Sequence, residues 1–429
     1  MSLFFAPDAN MDLYLNLKAQ MPDGRQVYTF IRPGTQPGTL LHMLEDLRSM
    51  DGTDAHEYMP LTRLHVWSTE DESMSLNMFV YGLRETRPDD ANFVELATPI
   101  LEYAKRVQEG EFLNDPNGLH PAPSPRFEEE ELLNYLGKCS HNYLTFGSGS
   151  PRRFLQHREI IHTVSGTEGT SVHVESEEDH PGHYWIDVAM ANTRPRNALE
   201  NVCRLLFIHK FDVSKARLDI VNDEENGNIT MLRLLVSPVP GSEVGPGTFE
   251  LLQSEIKRSK WLDQSTMDLV FNQHLALGVV RGEIITGICS LIHPVLAKEN
   301  ALVYSKSNIL DRVSEKRFIP YASDIATLFL DRFNPKGNRL SDKDFHRRTN
   351  ALKSQISIGV EDTVARTVLE KMLDVVSCTL KTNVYMPNRY ALSFRLDPKV
   401  MVSPHEAEQE LPYGIIFVHG RYVKYNQVV

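Results

Sequence analysis

Polar and apolar residues alternate over 26–31, 61–67 and 75–81, whereas over 39–47 and 92–107 the apolar residues return at helical spacing. A period of two turns one face of a strand toward a core, and a period near 3.6 does the same for one stripe of a helix. Leu64 and Val66 share a strand face, as do Leu76, Met78 and Val80. Phe93, Leu96, Ile100, Leu101 and Ala104 form a helical stripe that Gly110 is placed to end. The predicted order is therefore strand, helix, strand, strand, helix. It returns with strand 184–190, helix 197–209, strands 216–221 and 229–236, and helix 248–257. Pro195 lies 158 residues beyond Pro37, Arg217 lies 154 beyond Arg63, and Leu234 lies 156 beyond Met78. A nearly constant offset across three landmarks is the mark of an internal duplication.

Each βαββα run matches the start of a ferredoxin-like split unit, in which helices cover one face of an antiparallel sheet. The expected fold class is α+β, with modules over 1–112 and 151–260. The segment 113–150 joins them, because 115–125 is rich in Pro, Asn and Gly and 147–151 alternates Gly with Ser. From Trp261 the texture changes to helices, predicted over 283–291, 323–333 and 364–380. Ser323 and Asp324 suit a helix start, and Val364, Val368, Met372 and Val375 recur at helical spacing. A helical region over 261–385 and a third domain beginning at 386 follow. Strand character returns at 390–396 and 413–419, the second a continuous apolar run of the kind buried in a sheet.

Composition narrows the function more than the fold. With 41% apolar and 24% charged residues over 429 positions, the chain is globular and large enough for several cores. A net charge of −12 argues against a nucleic-acid partner, which needs clustered Lys and Arg. Cys139, Cys203, Cys289 and Cys378 are widely spaced, as in a reduced cytoplasmic protein. No secretory signal pattern opens the chain. The longest apolar stretch, 275–296, is broken by Arg281 and Glu283 and reads as a buried helix, so no membrane partner is expected.

Candidate chemistry is sparse. No Gly-x-Gly-x-x-Gly and no phosphate loop is present, so no cofactor site is assigned. His157 and His162 flank Glu159 but stand five apart, where a zinc protease helix needs four. His173, His180 and His183 lie among acidic residues around a Pro-Gly pair, which reads as a solvated hairpin and not a metal site. Arg152 and Arg153 suit an anion less well than an exposed loop. More specific is the turn Arg32-Pro33-Gly34-Thr35-Gln36-Pro37-Gly38-Thr39-Leu40, which delivers a strand to a helix N-terminus. Here the chain resembles ACT domains, regulatory modules that often carry Pro-Gly before an aliphatic residue at this junction. The resemblance implies an amino-acid effector at Pro37, Gly38 and Thr39, where a helix N-terminus offers N–H groups to a carboxylate. A connection that needs Pro and Gly for geometry alone is the other reading. The second copy has Arg194-Pro195-Arg196-Asn197 and lacks the glycine.

A broader resemblance runs through the second half. The stretches 291–296, 304–309, 381–385, 391–398 and 416–420, in this order, are similar to the large NAD-dependent glutamate dehydrogenases. That family places ACT-like modules before a glutamate-binding domain and a dinucleotide domain. The resemblance implies a homo-oligomeric enzyme that oxidises glutamate to 2-oxoglutarate and ammonia with NAD. The family's Arg-Gly-Gly segment and its lysine-bearing Gly-rich segment do not appear, so no catalytic residue is assigned. Lys381, Arg389 and Arg395 are expected to be structural or surface contacts. The chain is then expected to be the regulatory and assembly part, stopping inside the glutamate-binding domain. A free-standing amino-acid-sensing or scaffold protein is the alternative.

Overall fold

The computed structural model describes residues 2–4, 15–33, 38–50, 60–71, 73–82, 89–109, 128–146, 151–177, 180–223, 227–335, 339–386, 389–401 and 414–421. They form two compact units, 1–260 and 261–429, of mixed α and β structure.

The first unit begins with β1 (Ser2–Phe4), β2 (Leu15–Gln20), β3 (Gln26–Pro33), α1 (Thr39–Met50), β4 (Leu61–Ser68), β5 (Met74–Tyr81) and α2 (Asp90–Gln108). It continues with α3 (Glu129–Gly137), α4 (His141–Phe146), α5 (Pro151–His162), β6 (Thr170–Ser176) and β7 (Tyr184–Ala191). Then come α6 (Pro195–Ile208), β8 (Phe211–Asp223), β9 (Gly227–Pro238) and α7 (Thr248–Ser259). The strands make one antiparallel sheet in the order β1-β2-β3-β5-β4-β8-β9-β7-β6. Its two halves repeat one another about the β4–β8 seam. Both carry a bulge at the same place, between Leu61 and Arg63 in β4 and between Val213 and Lys215 in β8.

The registers refine the offsets. They are 158 from Gln26 to Tyr184, 155 from Tyr81 to Val236 and 152 from Leu61 to Val213. Leu234 thus corresponds to Phe79 and not to Met78, and Arg217 to His65 and not to Arg63. A slip of one residue exchanges the faces of a strand. Leu76, Met78 and Val80 do share a face, but Leu76 is 36% exposed, and the α1 side is lined by Ser75, Asn77, Phe79 and Tyr81. The hairpin partners β2 and β6 lie outside the predicted runs.

Helices cover both faces, where one was expected. α1 and α6 pack on each other and on the central strands, and α7 packs beside α6. Helix α2, started by Asp89 accepting from the Asn92 N–H, joins α3, α4 and α5 on the opposite face. There Phe93, Ala97, Ile100, Ala104 and Val107 share a core with Leu132, Leu136, Phe154, Ala189, Val221 and Met231. The connecting segment therefore supplies two helices of a core layer. Arg152 and Arg153 lie in the first turn of α5, not in a solvated loop, and the Arg153 guanidinium covers the Trp185 ring at 5.5 Å.

The second unit runs α8 (Gln264–Met267), a π-helical turn to Gln273, α9 (Val279–Leu296), α10 (Lys306–Ser314), α11 (Ile319–Phe333), α12 (Asp342–Gly359) and α13 (Thr363–Cys378). The antiparallel strands β10 (Thr379–Thr382), β11 (Leu392–Leu396) and β12 (Ile415–His419) complete it. Among the described residues α9 alone is long and apolar enough to cross a membrane, and 78% of it is buried. Gly282 permits this packing, since a Cβ there would collide with Val270. Helix α11 starts at Ile319 with Pro320 in its first turn, four residues ahead of the Ser323 expected to begin it. In β12 burial alternates despite the continuous apolar run, and Ile416 is 51% exposed.

Candidate functional site

The α1 turn is shaped by packing as much as by sequence. Pro37 lies outside the described residues. Gly38 has φ +83°, a left-handed value that favours glycine, and its carbonyl accepts from the His42 N–H at 2.9 Å. A Cβ at Gly38 would sit 3.0 Å from Cδ2 of Phe207 in α6. Thr39 opens α1 and is half-buried. In the second repeat Arg196 takes the place of Gly38. Its Nε donates to Glu200 at 2.9 Å and its Nη2 to the Leu44 carbonyl of α1 at 2.8 Å. Each turn thus docks on the other repeat's helix, and Gly38 is needed for that contact whether or not an effector binds.

The opposite face holds a constellation that strand periodicity did not reveal. Following the ladders from strand to strand, Leu17, Thr29, Met78, His65, Arg217, Arg233, Asp187 and His173 form one row across the sheet. Under the refined offsets Thr29 corresponds to Asp187, Met78 to Arg233 and His65 to Arg217. The first copy of the row is uncharged, since burial lowers the His65 pKa to about 4, and the second is ionic and lies beneath α4 and α5. Arg233 donates to Asp187 at 2.5 Å and to Glu175 at 3.3 Å, with its guanidinium 4.1 Å from the Trp185 ring centre. Trp185 in turn donates to Glu177.

His157 of α5 brings its Nε2 to 3.3 Å from Asp187. Burial drives the His157 pKa down and outweighs the pull of Asp187, so the ring is neutral. Nδ1 is hydrogen-bonded to the Tyr143 hydroxyl at 2.7 Å, while Nε2 faces the Asp187 carboxylate without hydrogen-bond geometry. The Tyr135 and Tyr143 hydroxyls share a 2.7 Å hydrogen bond, which extends the chain of buried groups. Burial pushes the Asp187 carboxyl up, but His157 and Arg233 overcome this and hold it at about 2. The geometry resembles a general-base dyad, yet both ends are sealed: the His157 side chain is 3% exposed and that of Asp187 0%. A group that no substrate can touch orients and stabilises; it does not catalyse.

Among the described residues no three His, Cys, Asp or Glu side chains gather as metal ligands. His173 lies on β6, and His180 and His183 pack edge to face at 5.8 Å. In the second unit Arg389 makes a bidentate pair with Glu283 at 2.7 and 3.1 Å, with both side chains buried. Lys381 and Arg395 are exposed. Beside α9, Thr266 and Thr286 share a 2.6 Å hydrogen bond, and His419 lies 3.5 Å from Asp263. Neither a protein-family model nor a curated protein matches the chain.

Proposed function

We propose that the protein is the amino-acid-responsive regulatory and assembly part of a large NAD-dependent glutamate dehydrogenase, each repeat being an ACT-like module. The observation that carries this reading is the edge-to-edge joining of the two repeats through β4 and β8, with each strand-to-helix turn docked on the other's helix. Within a repeat the order β2-β3-β5-β4 is that of a ferredoxin-like sheet whose fourth strand comes from the N-terminal side. An effector at Gly38 and Thr39 presses on Phe207, so binding in one repeat is felt by the other and by the homo-oligomer built from them. NAD and the catalytic lysine belong to the parent enzyme's reaction, and the ordered stretches of the second unit that resemble that family support the reading.

Thermal unfolding of the purified chain against the common amino acids tests the reading. At least one raises Tm by about 3 °C at tenfold excess over its Kd, through preferential binding to the folded state. Silence from all of them removes the effector role, and NADH formation from glutamate and NAD by this chain alone contradicts the assignment as a regulatory part.

A further inference from the structure

At the centre of the sheet two buried donors lack acceptors. His65 is 4% exposed, and its Nε2 lies 3.3 Å from Asn142 Nδ2 of α4. An amide nitrogen only donates, so Nε2 accepts and the ring proton sits on Nδ1. That Nδ1–H has no partner, and neither has Nη1 of Arg217, the residue directly across the β4–β8 seam. Native proteins rarely leave such groups unsatisfied, and two of them on neighbouring residues point to a missing acceptor. The local charge has the matching sign. Burial lowers the pKa values of Arg63 and Arg217, and Asp219 is the carboxylate that acts on both guanidiniums. Trp67, itself 39% exposed, stacks on His65 at 5.0 Å.

We propose that the β4–β8 seam binds a small oxyanion, a carboxylate or a phosphate, whose oxygens accept from Arg217 Nη1 and His65 Nδ1–H. The site lies on the opposite face of the sheet from Gly38, and it does not depend on the dehydrogenase reading. Because the seam joins the two repeats, an anion there fastens one half of the sheet to the other.

The test uses the full chain, with inorganic phosphate and acetate as probes, each against chloride at the same ionic strength. At least one probe shifts the His65 imidazole N–H resonance saturably and raises Tm by about 3 °C at ten times its Kd. Response to phosphate alone identifies the phosphate source, and response to acetate alone the carboxylate source. Arg217→Met abolishes both signals, while Arg217→Lys keeps the charge and weakens them. If neither probe moves the wild-type resonance beyond chloride, or if a folded Arg217→Met retains the response, the proposal is wrong. The wild-type titration decides the matter even where the variant fails to fold.

Discussion

Asp187→Ala is expected to cost about 4 kcal/mol of stability, because removing one partner of a buried ion pair strands the other. Arg233, 5% exposed at its side chain, then faces Arg217 across the ladder with its main counter-charge gone, and His157 loses the carboxylate it faces at 3.3 Å. Urea unfolding followed by tryptophan fluorescence measures the loss, since Trp185 lies against Arg233. The double variant Asp187→Leu, Arg233→Met recovers most of it, as apolar replacements of buried pairs commonly do. Asp187 also predicts a pH dependence. Its folded pKa of about 2 lies below the ordinary 3.8, so its stabilising contribution is present above pH 3.8 and is lost as pH falls toward 2. Asp187→Ala should flatten that acid limb. An unchanged limb and a loss under 1 kcal/mol would mean the pair is idle.

Arg389→Met carries the second large effect, about 3–5 kcal/mol in the second unit. It leaves Glu283 as a carboxylate with a 2% exposed side chain inside the most buried helix of that unit. Glu283→Gln on the same background removes the carboxylate that Arg389 neutralised and restores part of the loss. Arg395→Met, on an exposed position of β11, is the control and stays within about 0.5 kcal/mol of the parent. Equal losses in the two single variants would contradict the pairing.

Much of the architecture is legible because burial writes a period into the chain. The helices around Ile100 and Leu205 each bury one stripe and their residues say so, while the strands around Val66 and Leu232 are buried on both faces and are legible as apolar runs. The hairpin partners β2 and β6 alternate as well, through Leu15 and Leu17 and through Val172 and Val174, but short strands broken by charge compete poorly with a loop reading. The charged row was not legible as a site. Which residues face one another across seven ladders depends on registers that two bulges set, and a bulge leaves no period. Its one trace was charge within apolar strands, Asp187 in YWIDVAMA and Arg233 in GNITMLRLLVSP. The docking of Gly38 under Phe207 likewise depends on how α1 and α6 pack, which spacing along either helix does not specify.

The regulatory role stands or falls on where an amino acid binds. Hydrogen–deuterium exchange on the full chain, with and without the amino acid that raises Tm most, reads that directly. The account predicts slowed exchange over residues 38–44 at the start of α1 and over the end of α6 around Phe207, on the face opposite the charged row. Protection confined to other segments, or none at a saturating concentration, contradicts it.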